Sequence, residues 1–153
     1  MLFDVHVASM DDVQALVELE QECFTLDRLR QRHFHRMVSR ANASLIVVTA
    51  QKKLAGYALV LFRRGTSVAR LYSIAVSRAW RGHGLGQRLL DEAQTCALAR
   101  HCTRLRLEVR PDNPAAISLY EANGYQRFAC VEHYYEDHTE ALRYEKHLIC
   151  DGL

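Results

Sequence analysis

The stretch Trp80-Arg-Gly-His-Gly-Leu-Gly-Gln-Arg-Leu89 places glycines at 82, 84 and 86. It sits between a β-rich run, Val68 to Val76, and a run whose apolar residues Leu85, Leu89, Ala93, Cys96 and Ala97 recur at helical spacing. Glycine in a helix costs about 1 kcal/mol relative to alanine, so three of them at a helix start imply that bare backbone is needed there. Amide N–H groups at a helix N-terminus lack intrahelical partners and carry partial positive charge. Without Cβ atoms an anion can approach them closely, and Arg81 adds a full charge. One glycine would serve a tight turn or a close packing contact. Three beside an arginine point to a phosphate.

The pattern excludes two common phosphate loops. A Walker loop ends in Gly-Lys-Ser/Thr, whereas Gly86 is followed by Gln87 and Arg88. A Rossmann fingerprint spaces its glycines GxGxxG near the start of a βαβ domain. Here the third glycine comes one residue early, and two helices and a hairpin precede it.

The chain has 153 residues, enough for one domain (1–153) with its own core. Twenty basic and eighteen acidic side chains leave a net charge of +2, which does not point to a general polyanion binder, and no direct nucleic-acid partner is expected. No apolar run is long enough to span a bilayer, and the start, MLFDVHVASMDD, lacks the pattern of a secretory signal. The five cysteines, at 23, 96, 102, 130 and 150, form no CxxC and read as reduced thiols. A cytoplasmic protein, monomeric or weakly dimeric, is expected. Cys150-Asp-Gly-Leu153 has the position of a prenylation box but not its aliphatic pair. His33 and His35 stand two apart in a predicted helix, where they do not face each other, so no metal site is expected.

Along the chain, Ser9 with Asp12 starts an apolar-periodic helix to about Cys23, and a second helix is predicted over 26–38. Residues 45–50 and 56–63 read as a hairpin around QKKLA, and 68–76 as a third strand. After the glycines the helix runs to near His101. RLRLEVR, 104–110, alternates as a strand. Asn113-Pro114 starts a helix that Asn123-Gly124 ends. Strands over 125–132 and 141–148 flank the loop HYYEDHTE. The order α-α-β-β-β-α-β-α-β-β predicts an α/β (α+β) fold, a mixed central sheet of about six to seven strands with about four flanking helices, with room for an N-terminal strand.

Arg81-x-x-Gly84-x-Gly86 matches the R/Q-x-x-G-x-G/A signature of the GNAT N-acetyltransferases. LYSIAV before it and NPAAISLYEANGY after it also resemble that family's flanking motifs. Leu107 to Arg110, Asn113 to Tyr125 and HYYED resemble the subgroup that acetylates the N-terminal alanine of a ribosomal protein. The resemblance implies a GNAT fold and acetyl-CoA as co-substrate. It places the pyrophosphate on Arg81, Gly82, His83, Gly84, Leu85, Gly86 and Gln87. The thioester and pantetheine would lie along Ile74, Ala75 and Val76, where the strand should splay at a bulge and free the backbone N–H groups of Ile74 and Val76. Asn113 would cap its helix and bond the pantetheine.

By the same resemblance Glu108 is the general base and Tyr120 the general acid that protonates the departing thiolate. The residues alone leave Glu108 equally readable as an acid paired with Arg104, Arg106 or Arg110, and Tyr120 as a packed core aromatic. No cysteine has a convincing histidine neighbour, so direct transfer in a ternary complex is favoured over an acyl-enzyme. Tyr134, Tyr135 and Glu136 of the final loop, with the acids of the first helix, are expected to border the acceptor. Acid with aromatic surface suits an amine. An α-amine, with a pKa of about 7.7 to 8.0 against about 10.4 for lysine, is the easier one to deprotonate. A peptide N-terminus is thus expected, with a small amine, polyamine or lysine, or a non-catalytic acetyl-CoA sensor, as the alternatives. The basic stretch 23–36 is a solvated face or a partner contact.

Overall fold

The computed structural model describes residues 2–148. Its chain opens with a strand, β1 (Phe3–Val7), so the expected order holds with an N-terminal strand added. There follow α1 (Val13–Cys23), α2 (Gln31–Ser39), β2 (Ala43–Ala50), β3 (Lys53–Phe62) and β4 (Val68–Val76). Then come α3 (Leu85–Ala99), β5 (Arg104–Val109), α4 (Pro114–Ala122), β6 (Gln126–Val131) and β7 (Ala141–His147). Cys150 and its C-terminal neighbours lie outside the described residues.

The seven strands among the described residues form one sheet, ordered β1-β2-β3-β4-β5-β7-β6. Every adjacent pair is antiparallel except β4 and β5. The hairpin between β2 and β3 turns on Gln51 and Lys52, both with positive φ (53° and 65°), as a tight primed turn requires. Alternation puts Leu45, Val47, Tyr57 and Leu59 on one face, packed against Leu16, Leu19 and Phe34 of α1 and α2. Ile46, Val48, Leu71, Leu105 and Leu107 face the other way, onto Leu85, Leu89 and Leu90 of α3 and Tyr120 of α4.

The second helix is shorter than its periodicity predicts. Residues 24–30 are not helical because their backbone is engaged elsewhere. Glu20 accepts from the Leu29 N–H (2.8 Å), and Arg28 closes the end of α1 by donating to the carbonyls of Gln21 and Phe24. Arg30, in extended conformation, donates its N–H to His33 Nδ1 (2.9 Å) and so opens α2. His33 is thus a helix-start acceptor, and no group of three metal-ligating side chains occurs among the described residues.

Two irregularities make room for a site. Leu59 of β3 pairs with Ser73, but Val60 pairs with Leu71, so Tyr72 is an extra residue bulged out of β4. Beyond the register Leu71↔Leu107 the parallel pairing of β4 with β5 stops, and the two strands diverge.

Candidate active site

The divergence leaves one edge of β4 without a strand partner from Tyr72 to Val76. Ser77 donates its N–H to Ala55 of the β3 side (2.8 Å). Amides alternate along an antiparallel ladder, so Ala75 and Ser73 also turn theirs toward β3 while Ile74 and Val76 turn theirs toward the gap. Of the three β4 residues expected to bind the acyl donor, Ala75 therefore offers no backbone donor. Its side chain is buried under α1 and α2.

A cavity of about 770 Å³ fills the gap. Its walls include Ser73 and Ile74 of β4, Glu108 and Val109 of β5, Asn113, Ala116 and Tyr120 of α4, Glu20 and Cys23 of α1, and Tyr134 and Tyr135 of the β6–β7 loop. Glu108 and Tyr120 enter it from opposite faces of the sheet: Tyr120 packs in the core that holds Leu107 and Val109, and Glu108 alternates with those residues.

Glu108 is held on both sides. Arg70 reaches one carboxylate oxygen (2.6 and 2.8 Å) and Arg143 the other (3.0 Å), while the Tyr134 hydroxyl lies 3.5 Å away. The arginines on its own strand, which the sequence offered as partners, are committed elsewhere. Arg106 pairs with Glu145, and Arg110 with Asp112 and Asp137. The Glu108 side chain is 7% exposed.

Tyr120 stacks at a tilt on Tyr125, with centroids 5.8 Å apart. Burial pushes its phenol pKa up, so it stays protonated at neutral pH. Its hydroxyl has no hydrogen-bond partner among the described residues. Asn113 caps α4 by accepting from the Ala116 N–H (3.2 Å), which fixes where Tyr120 stands.

The glycine loop forms a second recess of about 280 Å³, lined by Val76, Trp80, Arg81, Gly82, Gly84, Leu85, Gly86 and Gln87. Gly82 and Gly84 have φ of +83° and +75°, the left-handed region that side chains avoid. A Cβ at either would meet nothing within 4 Å, whereas one at Gly86 would stand 3.5 Å from Leu119 of α4. Two glycines thus shape the turn, and at the third a Cβ would meet α4 only at ordinary contact distance. The first bond into α3 is Arg88 N–H to Gly84 carbonyl, so the amides of Leu85, Gly86 and Gln87 are left for a ligand. Arg81 anchors itself on the Val76 carbonyl (3.2 Å). The His83 ring turns away from the recess and meets Trp80 and Phe3.

Around the acceptor end the structure corrects one expectation. Glu136 is exposed and does not line the cavity; only its backbone is engaged, donating to Asp27 (3.2 Å). Acid is supplied instead by Glu20, Asp27, Asp112 and Asp137. Glu20 is 2% exposed. It accepts from the Tyr57 hydroxyl (2.6 Å), which also lies 2.7 Å from Ser73 Oγ. Burial raises its pKa above the ordinary carboxylate value. The sequence named Glu20 only as one acid of the first helix, and Tyr57 not at all. A tyrosine hydroxyl inside the otherwise apolar run GYALVLF was the available signal. Cys23 also reaches the cavity, its thiol on the Val76 carbonyl (3.5 Å). Burial and the Glu22 charge raise its pKa, the reverse of what a nucleophilic thiol needs.

A cleft through a split β4–β5 edge, with a left-handed glycine turn at one end and a carboxylate and a phenol at the other, defines an acyltransferase of the acetyltransferase (GNAT) family. The chain belongs to that family, whose model matches residues 13–125, and it is an N-acetyltransferase. It is 32% identical to the N-alpha-acetyltransferase RimI of Mycobacterium tuberculosis, over 81% of this chain and 78% of that one. It is 29% identical to the [ribosomal protein bS18]-alanine N-acetyltransferase of Salmonella typhimurium, over 90% and 93%. Among solved structures, the ribosomal-protein-S18-alanine N-acetyltransferase of Escherichia coli superposes with a TM-score of 0.86 at 24% identity, covering 99% of both chains. The PaiA N-acetyltransferase of Thermoplasma acidophilum, solved in complex with coenzyme A, superposes at 0.83 with 17% identity, covering 96% of this chain and 99% of that one. No helix among the described residues is long and apolar enough to cross a membrane.

Proposed function

We propose that the chain transfers the acetyl group of acetyl-CoA to the α-amine of a protein N-terminus, by direct attack within a ternary complex. The observation that carries this reading is the cavity itself, which brings Glu108 and Tyr120 together across the gap whose edge carries the Ile74 and Val76 amides. The left-handed glycine turn, the free amides of α3 and Arg81 fit a pyrophosphate, and coenzyme A would lie from there toward Tyr120. Glu108 takes the proton of the attacking amine, directly or through a water. The Ile74 and Val76 amides stabilise the charge that grows on the carbonyl oxygen. Tyr120 gives its proton to the sulfur as the thioester C–S bond breaks. An α-amine suits this site because a useful fraction is already neutral near pH 7 to 8, and because relatives named as alanine N-acetyltransferases align along nearly the whole chain.

The test is Glu108→Gln, assayed with acetyl-CoA and a peptide that begins with alanine. Donor affinity by calorimetry should be retained. Turnover should fall most at neutral pH and recover partly as pH rises and free amine accumulates. A pH profile identical in shape to the wild type's would make Glu108 the shared partner of its ion pairs with Arg70 and Arg143 and nothing more.

A further inference from the structure

Helices α1 and α2 cover only half of their face of the sheet. Their core reaches β2, β3 and Ala75 of β4, and includes nothing from β5, β6 or β7. On the bare half stand Arg70, Arg104, Arg106 and Arg143, with Glu108 and Glu145 between them. The arginine side chains are 31 to 42% exposed, the two carboxylates 7 and 15%. The acids therefore lie underneath and the surface presented outward is guanidinium.

These guanidiniums are fixed in place. Arg106 is held by Glu145 and lies over the Phe128 ring at 4.9 Å; Arg143 is held by Glu108 and lies over the same ring at 5.1 Å. Arg104 reaches Glu145 at 3.7 Å. Each keeps some of its five donors free of these contacts, and a pinned side chain loses little further entropy when it binds an anion. A second copy of this face would set arginine against arginine, so the complementary occupant is anionic.

We propose that this face is the outer half of the acceptor site and reads acidic side chains a few residues behind the acceptor's N-terminus. The inference rests on the N-terminal reading above. Its basis is continuity: Glu108 and Tyr134 belong to the cavity, and both bond Arg70 of the face. A chain whose amine sits at Glu108 can leave the cavity across these strands, on the side where Glu108 meets Arg70 and Arg143. Glu108, Arg106 and Arg104 succeed one another along β5 at steps of about 7 Å, the spacing of alternate side chains in an extended peptide. The cavity is lined with acid and the face beyond it with arginine, so the site as a whole suits an ammonium followed by carboxylates.

Two peptides sharing their first two residues test this, one with Asp and Glu at positions three to six and one with Asn and Gln there. The enzymes compared are wild type and Arg104→Gln/Arg106→Gln, which leaves Glu108 and its partners untouched; melting by circular dichroism checks that the variant is folded. At low salt we expect kcat/KM about tenfold higher for the acidic peptide, through KM, with the advantage lost in the variant and at about 0.5 M salt. Equal kcat/KM for the two peptides, or an advantage that survives in the variant, overturns the inference. Fluorescence anisotropy of the same peptides, labelled at their C-termini, judges the face without turnover. If neither peptide is acetylated, the N-terminal reading fails; equal affinities overturn the acidic-face inference separately. A single-stranded RNA oligonucleotide that binds more tightly than the acidic peptide, and loses that binding in the variant, overturns it in favour of nucleic acid.

Discussion

Gln87 and Asn123 exchange two side-chain hydrogen bonds, of 2.7 and 2.8 Å, tying the first turn of α3 to the cap of α4. One helix carries the loop amides and the other carries Tyr120, so this amide pair sets the distance between the two ends of the donor site. Gln87→Ala leaves half-buried amide groups unmatched. We expect a loss of about 1–2 kcal/mol in denaturant unfolding and a higher KM for acetyl-CoA. An unchanged unfolding midpoint would show that the pair carries no load.

The glycines of the loop should divide by sign. Gly84→Ala forces a side chain into left-handed backbone and should cost about 1–2 kcal/mol. Gly86→Ala meets Leu119 only at ordinary contact distance and improves helix propensity, so stability should hold or rise by up to about 1 kcal/mol. Thermal melts distinguish the two. A folded Gly84→Val protein should also lose acetyl-CoA affinity by calorimetry; undiminished affinity would detach the loop from the donor.

Tyr120→Phe should fold, bind acetyl-CoA nearly normally and turn over slowly. The ring contacts with Tyr125 remain, so stability changes little. The hydroxyl loss should lower kcat by about tenfold to a thousandfold, within the span of general acid catalysis. The deficit should shrink with an acyl donor whose thiol is more acidic. Wild-type kcat, measured where chemistry limits the rate, would reduce Tyr120 to a packing residue.

Glu20 predicts a pH dependence of stability. Its pKa in the folded chain is raised from 4.5, first by burial, against the lowering effect of the Tyr57 hydrogen bond. A group raised on folding contributes its stability fully below the unfolded value and loses it as pH climbs through the folded value. The wild type should therefore lose stability as pH rises from about 4.5, and Glu20→Gln, which cannot ionise, should not share that loss. The difference in Tm, variant minus wild type, should grow in the variant's favour toward neutral pH. Parallel Tm curves across that range would contradict the buried-carboxylate account.

Much of this was legible in the residues because it is local. The glycine spacing at 82, 84 and 86, the Asn113-Pro114 helix start, the Gly124 stop and the alternation of RLRLEV each declare themselves within a few positions. What escaped depends on distant partners. Glu108 finds Arg70 and Arg143, 38 and 35 residues away, rather than the arginines beside it. Residues 26–30 carry helical periodicity, yet Glu20 and Arg28 capture the backbone before it can coil. Glu136 has the right composition for an amine site, but its loop turns it outward. Glu20 read only as one acid of the first helix beside the acceptor; its burial depends on Tyr57, 37 residues away on β3.

The parting of β4 from β5 gives the site an unusual kind of heritability. In the reading proposed above, much of what faces the donor is main chain: two amides of β4, the first amides of α3, and a turn that asks only for glycine. Main-chain groups are present whatever the side chains become, so a lineage can replace most of its residues and still present the same row of donors. The fold itself is kept at TM-score 0.86 with 24% identity. On the proposed acceptor side the donors are side chains such as Arg104 and Arg106, so a substitution there would change specificity while the donor site stays as it is.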